Sequence, residues 1–87
     1  MVQYFQPMSK TNIETLLKTA FAPNYLLVVD DGHKHIGHEG AKHGGHFSVE
    51  IRSETFQGKT SLEKHRMIYK ALDPIKNTIH ALVIKAY

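Results

Sequence analysis

Histidines and glycines are concentrated in one short stretch of this 87-residue chain. The fifteen residues from Gly32 to His46 hold five of the seven histidines and five of the six glycines. Imidazole is the commonest metal-binding side chain, and glycines allow the backbone to bend until separated side chains reach one ion. Binding residues also tend to lie in loops on a rigid scaffold. The stretch therefore indicates a metal site, and the alternative is a loop that only faces solvent.

The composition of the chain excludes several kinds of functional site. The chain has no cysteine, which excludes disulfides, a thiolate metal site of its own and a cysteine nucleophile. Any sulfur ligand must come from a partner. The sequence has no glycine-rich phosphate-binding motif, and its one pair of adjacent carboxylates, Asp30 and Asp31, is typical of a strand end. We expect a protein that is not an enzyme.

The size and charge of the chain fit one small soluble domain. Hydrophobic residues make up 41% of the chain, and the formal charge of +3 permits nucleic-acid binding without requiring it. No apolar run approaches the roughly 20 residues of a membrane span, and the first residues lack the pattern of a secretory signal. We expect an N-terminal extension over residues 1–8, a single domain over residues 9–87, no membrane contact and a cytoplasmic location.

Periodic apolar residues predict a first helix before Pro23, whose ring cannot continue a helix. These residues recur at the three- and four-residue spacing of one helix face: Ile13, Leu16, Leu17, Ala20 and Phe21. Thr11 and Glu14 have the spacing of a capping box. The helix is therefore predicted to begin next to Thr11.

Two strands are predicted on either side of the histidine-rich stretch. Residues 25–30 form a short run of strand-forming side chains. After the stretch, apolar and polar residues alternate as in a strand with one buried face: Phe47, Val49 and Ile51 alternate with Ser48, Glu50 and Arg52. The connection from Asp31 to Gly45 is longer than a hairpin needs, and such loops are usually functional or disordered.

A second helix and a third strand follow. Thr60 and Glu63 have the spacing of another capping box, and Asp73-Pro74 would end the helix. One side of this helix is predicted to carry Leu62, His65, Ile68, Tyr69 and Leu72. The final run TIHALVIKAY is nearly continuous in apolar character, which predicts a well-covered strand.

The predicted fold class is α+β, in the form of an α/β sandwich. Its element order is α-β-β-α-(short helix or turn)-β. Two helices covering one face of a three-stranded mixed sheet is the compact arrangement for this set of elements.

The last third of the chain carries a recognisable set of motifs. The segments FQGKTSLEKHRMIYKAL and TIHALVIKAY contain an aromatic-x-Gly turn, a basic-His-Arg helix segment with an apolar-Tyr pair, and an Ile-His-Ala strand start. These motifs consist of Phe56, Gly58, Lys64, His65, Arg66, Tyr69, Ile79, His80 and Ala81. With the His46-Phe47 pair, they make the chain resemble the BolA-like family over residues 11–87. The resemblance implies a type II KH-like arrangement.

The resemblance also implies a function. BolA-like proteins are non-enzymatic partners of monothiol CGFS glutaredoxins and share a bridging [2Fe-2S] cluster with them, in iron-sulfur cluster trafficking and iron homeostasis. The glutaredoxin cysteine and glutathione would supply the thiolates that this chain lacks. The isolated protein is then expected to be a monomer without a stable cluster, and to form a heterodimer with its partner.

The family pattern implies the protein ligands of that cluster. The histidine of the Ile-His-Ala segment is one ligand, and it matches His80. The second ligand comes from the loop between the first two strands, where His35 matches best by its distance from the preceding strand. His38 and His43 remain rivals. Because metals bind neutral imidazole, we expect cluster binding to weaken at acidic pH.

Two other functions stay open. Some BolA-like proteins are DNA-binding transcriptional regulators, and this chain has basic residues on or near its second helix that could bind phosphates: Lys59, Lys64, Arg66 and Lys70. No aromatic platform for stacking bases is apparent, so such binding should be weak and salt-dependent. Alternatively, the loop buffers Zn²⁺ or Ni²⁺, since His33-x-His35 and His35-x-x-His38 can bring imidazoles close.

Overall fold

The computed structural model describes residues 9–31 and 45–87, and within them the predicted order of elements is confirmed. The two helices are α1 (Ser9–Phe21) and α2 (Ser61–Ala71), and the three strands are β1 (Tyr25–Asp30), β2 (Gly45–Arg52) and β3 (Ile79–Ala86). Short 3-10 helices lie before α2 and before β3, at Glu54–Phe56 and Asp73–Thr78. No helix in these two ranges combines the length and apolar character needed to cross a membrane.

The strands form one mixed sheet in the order β1-β2-β3. β1 pairs antiparallel with β2, and Val28 lies opposite Val49. β2 pairs parallel with β3, and Val49 lies opposite Ile84. A parallel pair needs a long crossover connection, which α2 and its flanking 3-10 helices provide here. The α+β class and the three-stranded mixed sheet are therefore confirmed, while the type II KH-like label stays a prediction.

The core lies between the helices and one face of the sheet. One cluster of buried residues joins both helices, β1, β2 and the 3-10 helix before α2. It consists of Ile13, Leu17, Phe21, Val28, Phe47, Val49, Ile51, Phe56, Ile68 and Leu72. The alternation predicted for β2 is confirmed, because Phe47, Val49 and Ile51 are buried while Ser48 and Glu50 are not. Apolar residues thus occupy the face that the helices cover.

Of the two predicted capping boxes, the one at the start of α2 is confirmed and the one at the start of α1 is wrong. At α2, Thr60 Oγ1 accepts a hydrogen bond from the Glu63 amide at 3.1 Å, and the Thr60 amide donates to Glu63 Oε1 at 2.8 Å, which confirms the prediction. The box at Thr11 is wrong, because α1 already begins at Ser9. Glu14 instead pairs with Lys10 one turn earlier, with 2.9 Å between Nζ and Oε2. This i,i+4 ion pair spans the first turn of α1 and supports a helix that begins before Thr11.

Two predictions of burial are also wrong. Leu62 and Tyr69, expected on the covered side of α2, are 58% and 51% exposed. The last strand was expected to be well covered, but β3 lies at the edge of the sheet and alternates, so that Val83 is 56% exposed. One face of β3 packs on the core, and the other has no helix over it in the described part of the chain.

The end of α1 is held by a buried hydroxyl group. Ala22 follows the helix with a φ of 43°, in the left-handed region that usually favours glycine at this position. Ser53 is 4% exposed, and its Oγ donates to the Phe21 carbonyl at 2.7 Å while accepting from the Thr55 amide at 3.1 Å. Ser53 therefore joins the C-terminus of α1 to the turn that follows β2.

Replacing this hydroxyl is expected to destabilise the fold measurably. In Ser53→Ala, the buried Phe21 carbonyl loses its donor, which should lower the free energy of unfolding by about 1–3 kcal/mol in a urea titration. Thr78→Ala is the matched control, because the Thr78 hydroxyl also donates to a backbone carbonyl, that of Ile75, but at an exposed site. Water can replace that donor, so the control should lose about 0.5 kcal/mol or less. Equal losses in the two variants would contradict this role for Ser53.

Candidate functional site

The end of β1 and the starts of β2 and β3 lie along one edge of the sheet. Both ends of the histidine-rich stretch and the start of β3 are therefore at this edge. β1 runs antiparallel to β2, so the end of β1 lies beside the start of β2. β3 runs parallel to β2, so its start lies at the same edge, with Ile79 opposite Gly45. The stretch therefore begins after Asp31 and joins β2 at Gly45. Gly45 lies beside the start of β3, which contains His80, whereas Asp31 lies on the other side of β2.

Both attachment points of the stretch are held by specific contacts. The Asp31 amide donates to the His46 carbonyl at 2.7 Å, and Ser48 Oγ donates to Asp31 Oδ2 at 2.5 Å. At Gly45, a Cβ atom would overlap the ring of Phe47, so this position accepts no side chain unless that ring moves. These contacts fix where the stretch begins and ends. His35, His38 and His43 themselves lie outside the described residues.

Two imidazole rings lie close together at this edge. The ring centroids of His46 and His80 are 5.1 Å apart, and the rings are tilted by 34°. His80 is exposed and His46 is half-buried. The register between β2 and β3 shifts between Gly45 and His46, so that His46 lies opposite Ala81, directly after His80 in the chain. This shift at the start of the parallel pair puts the two histidines side by side.

His46 is a site residue that sequence reasoning missed. It was noted as part of the His46-Phe47 motif but not as a possible neighbour of His80. The available signal was topological: two parallel strands begin at the same edge of a sheet, and a histidine stands near the start of each. Recognising that the helix-containing connection between these strands was a parallel crossover would have predicted the pair.

The described part of the site offers two imidazoles and no complete metal-binding set. Within residues 9–31 and 45–87, no group of three or more histidine, cysteine, aspartate or glutamate side chains is placed to hold a metal ion. A metal or cluster bound at His80 would therefore take its other ligands from the histidine-rich stretch, from water or from a partner molecule. The exposure of His80 leaves it accessible to such a partner.

The third described histidine lies elsewhere. His65 is half-buried on α2, at the margin of the helix face that packs on the core. The pair of imidazole rings at the sheet edge consists of His46 and His80 and does not include it. His65 is therefore not part of the candidate site.

The four basic residues considered for nucleic-acid binding have different surroundings in the structure. Lys59 and Arg66 are exposed and line one shallow depression together with Glu63 and Met67. Lys64 is half-buried, and its Nζ donates to the Ala86 carbonyl at 3.3 Å, at the far end of β3. Lys70 is exposed near the end of α2. Lys59 and Arg66 are thus brought together, whereas Lys64 is directed toward the sheet.

The uncovered face of the sheet is a second feature that the sequence did not indicate. Its apolar residues include Leu27, Val29 and Val83, which line a groove of about 260 Å³ together with Ser48, Glu50 and Lys85. These residues alternate with the core-facing positions of their strands. The apolar runs in β1 and β3 therefore place apolar side chains on both faces of the sheet, the face that packs on the core and the uncovered face.

Comparisons with known proteins agree with this fold. The family described as BolA-like protein matches residues 17–87. The chain is 38% identical over 81 residues to the DNA-binding transcriptional regulator BolA of Escherichia coli, covering 92% of this chain and 75% of that protein. It is 37% identical over 78 residues to Protein BOLA2 of Arabidopsis thaliana, covering 90% and 75%. Among solved structures, the BolA domain of SufE1 from Arabidopsis thaliana superposes with a TM-score of 0.77 at 36% identity, covering 94% and 93%.

Proposed function

This chain belongs to the BolA-like family, and on that premise we propose that it is a non-enzymatic adaptor for iron-sulfur clusters. In this proposal it binds a monothiol CGFS glutaredoxin and shares a bridging [2Fe-2S] cluster with it, in cluster trafficking and iron homeostasis. The observation that supports the proposal best is the exposed His80 at the sheet edge where the histidine-rich stretch is attached.

The donor set of the chain fits a shared cluster. An isolated [2Fe-2S] cluster needs four protein ligands, usually cysteine thiolates, and this chain has no cysteine. His80 would bind one iron, with a second imidazole from His35 or its rivals His38 and His43. The thiolates would come from the glutaredoxin and glutathione. Imidazoles in place of thiolates make a cluster less negative and raise its reduction potential, as in Rieske centres.

The sheet edge suits this role physically. His80 and the two attachment points of the stretch are held by paired strands, so that a ligand from the stretch approaches His80 from a fixed origin. His35 is only four residues beyond Asp31, a distance of at most roughly 13–14 Å along an extended chain. Such a tether favours a ligand pair made of His80 and one histidine of the stretch.

The test is to mix the protein with a [2Fe-2S]-loaded CGFS glutaredoxin and glutathione and to record visible absorption and circular dichroism. Histidine ligation should change the spectrum of the cluster relative to that of the glutaredoxin alone. Size-exclusion chromatography should show one complex that contains both proteins and the cluster. An unchanged spectrum together with separate elution of the two proteins would overturn the proposal.

A second candidate function is DNA binding, supported by the exposed pair of Lys59 and Arg66. The Escherichia coli relative is named as a DNA-binding transcriptional regulator. The two cationic side chains lie on one surface near the start of α2, where they could contact neighbouring phosphates. Glu63 in the same depression is engaged in the capping box of α2.

The DNA-binding candidate predicts a specific change in salt dependence. The double variant Lys59→Ala/Arg66→Ala should bind duplex DNA more weakly. The negative slope of log K, the logarithm of the association constant, against log salt should become shallower by about 2, since each lost phosphate contact removes about 1. Fluorescence anisotropy at several salt concentrations measures both quantities. Lys76→Ala is the control, because Lys76 is exposed but pairs with Asp73 in a different part of the surface. Equal effects of the control and the double variant would exclude this surface.

A further inference from the structure

We propose that His46 and His80 together form a binding site for a single divalent transition-metal ion, of the imidazole-preferring class that includes Zn²⁺, Ni²⁺ and Cu²⁺. The site belongs to the protein alone and needs neither glutaredoxin nor glutathione. It uses His46, which the cluster proposal does not require. The two proposals can therefore fail separately.

The distance between the two rings fits a shared ion. Two imidazoles bound to one tetrahedral Zn²⁺ through bonds of about 2.0–2.1 Å have ring centroids roughly 5 Å apart. The centroids of His46 and His80 are 5.1 Å apart. The ring planes are tilted by 34° to each other, and each imidazole has two nitrogens, either of which can bind a metal in the neutral ring.

The backbone holds both histidines in place before an ion arrives. His46 lies in the parallel ladder opposite Ala81, and its carbonyl accepts the 2.7 Å hydrogen bond from the Asp31 amide. His80 is the second residue of β3 in the same ladder. Because the paired strands fix the two positions, an ion bound to one imidazole meets the second at a high effective concentration. This preorganisation lowers the cost of binding compared with that for two histidines on an unstructured peptide.

The site depends on tertiary structure, and this gives it a distinctive signature. His46 and His80 are 34 residues apart in sequence and are brought together only by the pairing of β2 with β3. An ion that bridges them binds the folded chain and not the unfolded one, so it should raise the midpoint of thermal unfolding. The other histidines of the stretch, His33, His35, His38 and His43, are close in sequence, so they can bind metals in the unfolded chain as well. Their binding should stabilise the fold less.

An occupied His46/His80 site would also affect the proposed adaptor function. His80 is the ligand that the cluster proposal assigns to this chain, and one imidazole nitrogen cannot bind two metals at once. A divalent ion at the pair would therefore compete with the cluster for His80.

The test uses a full-length variant in which His33, His35, His38 and His43 are all replaced by Asn. Thermal unfolding of this variant is followed by circular dichroism with increasing Zn²⁺, and isothermal titration calorimetry gives the stoichiometry. We expect one Zn²⁺ per chain and a midpoint of unfolding that rises with Zn²⁺ concentration. Adding His80→Asn or His46→Asn should weaken Zn²⁺ binding by about tenfold or more and remove the shift. Adding His65→Asn should leave both unchanged.

Several results would overturn the proposal. One is the absence of a Zn²⁺-dependent shift in the variant that lacks the four other histidines. Another is a shift that survives His80→Asn or His46→Asn. Because His80 is exposed, His80→Asn is not expected to unfold the protein, and the midpoint measured without metal checks this for each variant. Zn²⁺ binding that is lost when only His33, His35, His38 and His43 are replaced would assign the metal to those four residues instead.

Discussion

His80→Ala is expected to abolish the spectral change that the wild-type protein causes in a cluster-loaded CGFS glutaredoxin. The substitution removes the imidazole that our proposal makes a ligand of the cluster. The chain has no cysteine that could replace this ligand. Visible circular dichroism of the mixture, recorded during titration with the variant, should match that of the glutaredoxin alone. We expect the affinity for the cluster-loaded partner to fall by about tenfold or more, roughly the smallest loss that removal of a metal ligand would cause.

The same series of variants separates ligand loss from misfolding. His80 is exposed, so His80→Ala should change the free energy of unfolding by only about 0.5 kcal/mol. His65→Ala is the histidine control, since His65 lies on α2 away from the sheet edge, and it should preserve the spectral change. Single replacements of His35, His38 and His43 would then identify the second ligand. A wild-type spectrum from His80→Ala would remove His80 from the site, and with it the principal support for the adaptor proposal.

The second large effect is expected in the core, at Ile68. Ile68 is 0% exposed and belongs to the cluster that joins both helices to the sheet. Truncation to alanine removes buried apolar surface and leaves a cavity, which costs about 2–5 kcal/mol. Small domains have total stabilities of about 5–15 kcal/mol, so this loss is a large share of the whole. Urea denaturation should show a much lower midpoint with an unchanged slope.

Leu62→Ala is the matched control for Ile68→Ala. Both residues are aliphatic, both lie on α2, and the sequence pattern placed both on its covered side. Leu62 is 58% exposed, and alanine favours helix at least as well as leucine does, so the free energy of unfolding should change by about 0.5 kcal/mol or less. A loss of several kcal/mol at Leu62 would show that this side of α2 is covered in solution.

Local sequence determined most of the element order. The capping box at Thr60 and Glu63 marks the start of α2, and the alternation through Phe47, Val49 and Ile51 predicts β2 and its buried face. These signals act over a few residues, because they depend on hydrogen bonds within one helical turn and on the two-residue repeat of a strand. The motifs in the last third of the chain were specific enough to indicate the family, which the comparisons confirm.

Helix boundaries and faces were less predictable. Thr11 has the residue type and spacing of a helix cap, but α1 begins before it, at Ser9, and the ion pair between Lys10 and Glu14 spans Thr11. Leu62 and Tyr69 have apolar side chains at helical spacing, but they are exposed, whereas Ile68 on α2 and Leu72 at its C-cap are buried. The spacing of apolar residues identifies one side of a helix. Which residues on that side are buried depends on where the neighbouring elements lie.

The sequence by itself determined which residues offer metal chemistry, since it contains seven histidines, no cysteine and a strand motif that includes His80. Only the tertiary structure decided which histidines meet. The parallel pairing of β2 with β3 brings His46 to within 5.1 Å of His80 by ring centroids, although 34 residues separate them in the chain. The physical reason is that strand pairing is set by burial of the whole core. The residues at a strand's start carry no local signal of which strand will lie beside them.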